Sequence, residues 1–399
     1  MRVTHLGHAG LKIESGSTTV LVDPWFSPEG AFQASWFQFP DNSHLLTPSL
    51  LQPSFVVISH EHMDHVDPWF LSRLNPDIPV VIHRYPSAAL DRKILSAGPR
   101  EIIAARAWEE VALSEDTYVF FVPEESPSNH DAAIVIHSNG RTVLDLNDAR
   151  LSPVQLRDIR AKVGGQVDLF CLQGSGASWY PICYEYPEQR RRDLSQKKRL
   201  AKFGYVKRAV KALEPVTVLP FAGPPCFLDP ELFHHNEEMD AGIFPDQQQV
   251  AEWLGTKGIQ NTVVLLPGDV WDVDDRRKEA DPHWHGFDRS DRQLYLKRYV
   301  ERRRDALTAV LDRHPDPTAP PRRSPAAAWR QRRRQSDRRY FRPRTGPAGR
   351  PRGWGRPAYR PRGRRCRRGG RAPSRRTHRD RSACPRGSQA AGTRPGRSV

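Results

Sequence analysis

The sequence predicts an α/β sandwich, with sheets covered by helices. Two observations carry this. Short runs rich in Val, Ile and Phe alternate with charged, amphipathic helical stretches through roughly the first 310 residues. Several of the strand-like runs also end on His or Asp, where loops at a sheet edge would gather them.

The elements follow in order. Residues 2–6 and 11–14 read as antiparallel strands joined through Gly7-His8-Ala9-Gly10. Ser15-Gly16-Ser17 turns the chain into a strand at 18–22, closed by Asp23-Pro24. A loop rich in aromatics follows, with Trp25, Phe26, Phe32, Trp36, Phe37 and Phe39. Residues 55–59 form a short apolar strand, and 79–83, 117–122, 132–137, 142–146 and 167–172 read as further strands. A helix is expected over 151–161, and residues 185–213 form a charged helical stretch before an apolar strand at 216–219. Residues 247–254 and 292–311 complete the helices.

The formal charge of +16 suggests a polyanionic partner until it is located. Residues 321–399 hold 27 Arg against Asp337 and Asp380, a net +25, which leaves −9 on residues 1–320. That segment has no Leu, Ile, Met or Lys, and cannot bury enough apolar surface to offset chain entropy. We therefore expect residues 1–312 to fold as one metal-binding domain and 313–399 to be a disordered basic tail. The tail reads either as a polyanion-binding arm or as an out-of-frame translation of GC-rich coding sequence; the absence of Lys and of any repeat favours the second. Five scattered cysteines without CxxC spacing point to a reducing compartment. No signal peptide or bilayer-length apolar run is apparent, so a cytoplasmic location without membrane association is expected.

The strongest signal is Ser59-His60-Glu61-His62-Met63-Asp64-His65. His60 and His62 are two residues apart and can approach one metal from one side of an extended segment. Asp64 and His65 then turn towards a second position, the carboxylate adding a harder ligand. Four ligand-type side chains within six residues, directly after an apolar strand, are difficult to reconcile with a plain solvated loop.

HxHxDH after a strand resembles the metallo-β-lactamase superfamily. The resemblance implies an αβ/βα sandwich with one or two divalent ions, iron or zinc, at one edge. It implies that His130 joins His60 and His62 on the first metal, that Asp64 and His65 hold the second, and that Asp148 bridges. The superfamily's final His should follow the strand at 216–219, where this chain reads Pro220-Phe221-Ala222-Gly223. His234 and His235, a little further on, are the candidates for metal or supporting roles.

More specific segments are Leu6-Gly7-His8-Ala9-Gly10, Asp23-Pro24-Trp25, Ala34-Ser35-Trp36-Phe37 with Phe39-Pro40-Asp41-Asn42-Ser43, and Phe221-Ala222-Gly223. Together they resemble the lactamase-like domain of the CMP-N-acetylneuraminate and N-acetylmuramic acid hydroxylases, over roughly residues 1–300. That resemblance implies an iron monooxygenase turning the N-acetyl group of a nucleotide sugar into N-glycolyl, fed by a Rieske cluster. Such a cluster needs two Cys and two His. Cys366 and Cys384 lack His partners at that spacing, so no Rieske cluster is expected in this chain: either it was lost to a frameshift, or an electron-transfer protein serves in trans, or the enzyme does not use oxygen. The alternative is a hydrolase in which Asp64 or Asp148 orients a metal-activated water towards an ester, amide or phosphoester. A nucleic-acid processing protein with a basic tail is the third reading, and the acidic body argues against it.

Other residues read two ways. His8 is either support for the metals or a packed polar group, and Asp23 either fixes a ligand imidazole or closes a turn. Trp25, Trp36 and Phe37 read as core before pocket wall. Lys197, Lys198 and Arg199 read as a solvated helix face before a diphosphate grip. Gly174-Ser175-Gly176-Ala177-Ser178 fits a small-residue loop that lets a substrate approach the backbone. His283 and His285 are expected at the surface, and Asp269 in a turn.

Overall fold

The computed structural model describes residues 1–126, 131–175, 178–239 and 242–313. His130, Gly176, Ala177 and the expected tail beyond residue 313 lie outside the described residues.

Among the described residues, strands form one eight-stranded and one six-stranded sheet. The first runs Arg277–Glu279, Val270–Asp272, Arg2–Gly7, Gly10–Ser15, Thr18–Val22, Phe55–Ile58, Val80–His83, Ile102–Ala105. The second runs Thr217–Phe221, Leu169–Gln173, Arg141–Asp145, Ala132–Ser138, Thr117–Pro123, Val111–Ala112. Successive side chains on a strand point to opposite faces, and the core divides accordingly. Val119 and Phe121 meet Val20, Val22, Val57 and Val81 between the sheets. Phe120 and Val122 point outward with Val135, Leu144 and Phe170, under the helices Pro153–Lys162, Glu188–Leu213 and Gln247–Gly255. On the far side Leu21, Val56, Ile58, Val80 and Ile82 are covered by Pro68–Leu71 and Ala89–Ser96. Helix, sheet, sheet, helix is the αβ/βα sandwich that the sequence predicts.

Local chemistry sets the element ends. The helix expected over 151–161 begins at Pro153, because Ser152 and Gln155 close a reciprocal capping box and proline suits the first turn. Asp67 caps Pro68–Leu71 through the amides of Trp69 and Phe70 and also accepts the amides of Phe26 and Ser27, at 2.8 and 2.7 Å. One carboxylate thus ties the aromatic loop to the chain just beyond the histidine motif. Trp25, Trp36 and Phe37 are core residues, as their composition suggested. The long helix Arg292–Arg313 packs Leu296 and Tyr299 on Phe37, Phe39 and Cys226. No helix of the described residues is long and apolar enough to cross a membrane.

The parallel pairs position the site. Thr18–Val22, Phe55–Ile58 and Val80–His83 run parallel in one sheet, and Arg141–Asp145, Leu169–Gln173 and Thr217–Phe221 in the other. Asp23, Ser59, Asp148 and Ala222 all follow their carboxyl ends, where loops of open α/β sheets gather functional groups.

Candidate metal centre

The parallel strand Phe55–Ile58 delivers Ser59 and the histidine motif to the edge of the sandwich. His60, Asp64 and His65 are almost wholly buried there, while His62 is exposed. Among the described residues, three groups of ligand-type side chains bring donor atoms within 4.8 Å of one another: His60, His62 and Asp131; His60, His65 and Asp148; and His8, Asp64 and His65. His60 Nε2 lies 2.8 Å from His62 Nδ1 and 3.9 Å from Asp131. His65 Nε2 lies 3.6 Å from Asp148 and 4.0 Å from Asp64.

Supporting hydrogen bonds fix how the imidazoles point. Asp23 is fully buried and accepts from the Ser59 amide at 2.8 Å and from His65 Nδ1 at 2.7 Å. The Ser59 hydroxyl donates to the same carboxylate, so His60 Nδ1, 2.9 Å from Ser59 Oγ, must be the donor there. Both histidines therefore carry a proton on Nδ1 and turn Nε2 inward, the orientation that outer carboxylates impose on metal-binding histidines. Gln173 donates its amide to Asp148, which holds that carboxylate in place from the neighbouring strand. Asp23 thus points at the site rather than merely ending a strand.

His8 also belongs to the site. It takes a left-handed backbone, φ +50°, at the tight turn between the first two strands. Its Nε2 lies 3.1 Å from Asp64, its ring meets Trp25 edge-on at 5.1 Å, and its carbonyl accepts from the Ala222 amide at 2.9 Å. That last bond joins the two sheets at the point where the sequence lacks the expected histidine. His234 and His235 fall in the turn Phe233–Met239; His234 is exposed, His235 packs against Phe227, and neither enters the donor groups above. Proline and glycine after Phe221 carry the chain away before it reaches them.

The electrostatics separate the two central histidines. Burial, and then the neighbouring His65, hold His60 well below its ordinary value, which favours the neutral form an imidazole needs to bind a metal. Burial also opposes charge on His65, but Asp64, Asp23 and Asp148 together outweigh it and raise that pKa well above the usual range. His65 in turn lowers Asp64 and Asp148, against the burial that would raise them. The surrounding carboxylates thus favour positive charge at His65, a place that a bound metal ion would fill instead of a proton. Whether the donors fit a metal can be tested on their unpaired atoms. Among the described residues, His65 Nε2 and Asp64 Oδ1 are buried without a hydrogen-bond partner, a costly state that a bound cation would relieve. The set fits.

Asp131 is the residue that sequence reasoning passed over. It immediately precedes the strand Ala132–Ser138 and sits beside His60 and His62. The signal was a carboxylate at a strand start, overshadowed by the adjacent His130.

The fold and this cluster define a metallo-β-lactamase-fold metalloenzyme. A family model described as a β-lactamase superfamily domain matches residues 2–162. A protein of Mycolicibacterium smegmatis, carrying the name of a Rieske 2Fe-2S iron-sulfur protein, is 36% identical over 281 residues, covering 68% of this chain and 53% of that protein. A Mycobacterium tuberculosis protein with the same kind of name is 33% identical, covering 68% and 54%. The cytidine monophosphate-N-acetylneuraminic acid hydroxylase of Danio rerio is 23% identical over 232 residues, covering 55% and 38%. The chain thus spans about half the length of the first two relatives. Among solved structures, CmlA, a diiron β-hydroxylase from Streptomyces venezuelae, aligns with TM-score 0.46 and 20% identity over 70% of this chain and 54% of that one.

Proposed function

We propose that residues 1–312 form the metal-bearing domain of an oxygen-activating hydroxylase that converts the N-acetyl group of a nucleotide sugar to N-glycolyl. One observation carries this reading. The clustered donors are four imidazoles and three carboxylates, His8, His60, His62 and His65 with Asp64, Asp131 and Asp148. Three carboxylates among the imidazoles suit iron better than a histidine-dominated zinc site. The names of the relatives point the same way.

In this reading His60, His62 and Asp131 would hold one iron and His65 and Asp64 the other, with Asp148 placed to serve both. His130 is proposed as a further ligand of the first iron, and His8 orients Asp64. Bound iron supplies the one-electron and oxygen chemistry that no side chain here can provide. The chain's own groups orient and shield. Asp23 and Ser59 fix the His60 and His65 rings, Gln173 holds Asp148, and buried Trp25 excludes water beside His8. One oxygen atom of O2 enters a methyl C–H bond and the other leaves as water, which consumes two electrons and two protons. We assign the electrons to a 2Fe–2S protein acting in trans, and the reaction to a reducing, cytoplasmic compartment, to which the cysteine usage points.

The test is anaerobic iron reconstitution followed by reaction with an N-acetylated nucleotide sugar, a reductant and 18O2. The expected result is one 18O atom in an N-glycolyl product. Zinc-supported cleavage of an ester, amide or phosphoester, without oxygen uptake, would replace this reading with the hydrolase.

A further inference from the structure

A cavity of about 230 Å³ opens beside the metal centre, with Asp148 as their shared wall. Its other charged lining is cationic, beside the neutral Gln173 and Tyr205. Lys198 and Lys202 lie one turn apart on the helix Glu188–Leu213, and Tyr205 and Arg208 continue along the same face. Arg150 enters from the loop after the strand Arg141–Asp145. The sequence led us to expect Lys198 on a solvated face; it is half-buried instead.

These charges are not balanced where they stand. Lys202 is only 8% exposed, and its ammonium donates to the neutral Ser175 carbonyl. Lys198 donates to the neutral Tyr180 carbonyl at 3.1 Å. Burial, then Lys198 and Arg150, press the Lys202 amine down to about 7, with Asp148 opposing. Burial and Arg150 likewise lower Lys198. A buried lysine crowded by like charges is costly unless an anion joins it.

We propose that Arg150, Lys198, Lys202 and Arg208 form an oxyanion subsite that seats a phosphate or diphosphate group of the substrate next to the metal centre. Charge and shape select that chemistry. Four cations against one carboxylate exceed what a single carboxylate ligand neutralises, whereas a diphosphate linkage carries a negative charge on each of its two phosphates. Two guanidinium groups add the planar forks that grip phosphate oxygens in pairs. The cavity has the volume of a small anion and excludes a nucleic-acid strand. Its position rests on the metal-centre reading above; its anion chemistry does not.

Inorganic pyrophosphate titrated calorimetrically into the full-length, metal-loaded chain at 150 mM NaCl tests this, with metal content measured on every sample. Lys202→Met keeps the buried volume, and Arg208→Gln alters an exposed position should the first variant fold poorly. Each is expected to weaken pyrophosphate at least tenfold with metal content unchanged, while Arg364→Gln/Arg365→Gln in the basic C-terminal segment leaves affinity unchanged. Wild-type affinity in both pocket variants, or weakening only in the C-terminal variant, overturns the subsite. A chain that takes up no metal yet loses pyrophosphate binding in the pocket variants supports the subsite and defeats the metal-centre reading alone.

Discussion

The candidate metal centre and the cationic cavity share Asp148 and its partner Gln173, and are built by opposite means. The first is assembled from strand ends, and its imidazoles are steered by buried carboxylates. The second is assembled chiefly from one helix face, and its charges lean on neutral carbonyls. The difference shows two ways of storing unbalanced polarity. One leaves donor atoms facing each other for a cation, the other leaves cations facing each other for an anion. Asp148 separates them.

Replacing the shared carboxylate should have the largest effect, and opposite signs in the two regions. Asp148→Ala is expected to weaken metal binding beyond the roughly 100-fold ceiling for outer-shell changes, while metal-free protein binds pyrophosphate more tightly. Dialysis with elemental analysis and calorimetry read the two sides; equal losses in both would dissolve the distinction. Asp23→Asn acts on the first region alone. It removes the carboxylate from His65 Nδ1 and should cost about 10–100-fold in metal affinity, with pyrophosphate binding of metal-free protein unmoved.

A third change acts on the second region through pH. The Lys202 amine, at about 7 in the fold, lies below the ordinary lysine value of about 10.4. Between those values the unfolded chain binds more protons than the folded one, so wild-type stability gains with rising pH. Lys202→Met lacks that gain. Relative to wild type it should be most favoured at or below pH 7 and lose ground towards pH 10. Denaturant titrations of metal-free protein at pH 6 and 9.5 check this, and a pH-independent difference would argue against a buried, repelled amine. The smallest effect is expected at Arg192, which pairs with Glu188 in the open on the same helix. Arg192→Ala should change stability by less than about 0.5 kcal/mol, which calibrates the helix against its own buried face.

The two regions also differ in how far the sequence disclosed them. His60, His62, Asp64 and His65 are contiguous and follow an apolar strand, so their chemistry is visible as a motif. His8 and Asp23 could be weighed because each ends a strand near a turn. Asp131 escaped because an adjacent histidine offered the more familiar ligand. Lys202 and Arg208 gave no signal, since the helix Glu188–Leu213 carries many cations and only burial tells which ones face inward. The fold was legible at long strands such as residues 117–122 and less so at short elements. Pro68–Leu71, Ala89–Ser96 and Ile102–Ala105 went unassigned, being too brief to show a period. His283 is exposed, as expected, and also stacks flat on His44 at 3.8 Å, a contact from distant sequence that no local pattern encodes.

Ser59 has one hydroxyl proton and three partners. It donates to Asp23, receives His60 Nδ1, and stands 3.4 Å from His65 Nδ1. The two inward-facing imidazoles therefore hang from a common hinge, and neither can rotate without disturbing the other. A metal ion in one of the proposed positions would hold the shared hinge still for its neighbour, so the sites are expected to load as a pair, with a sigmoidal uptake curve and little of the singly occupied form at half saturation.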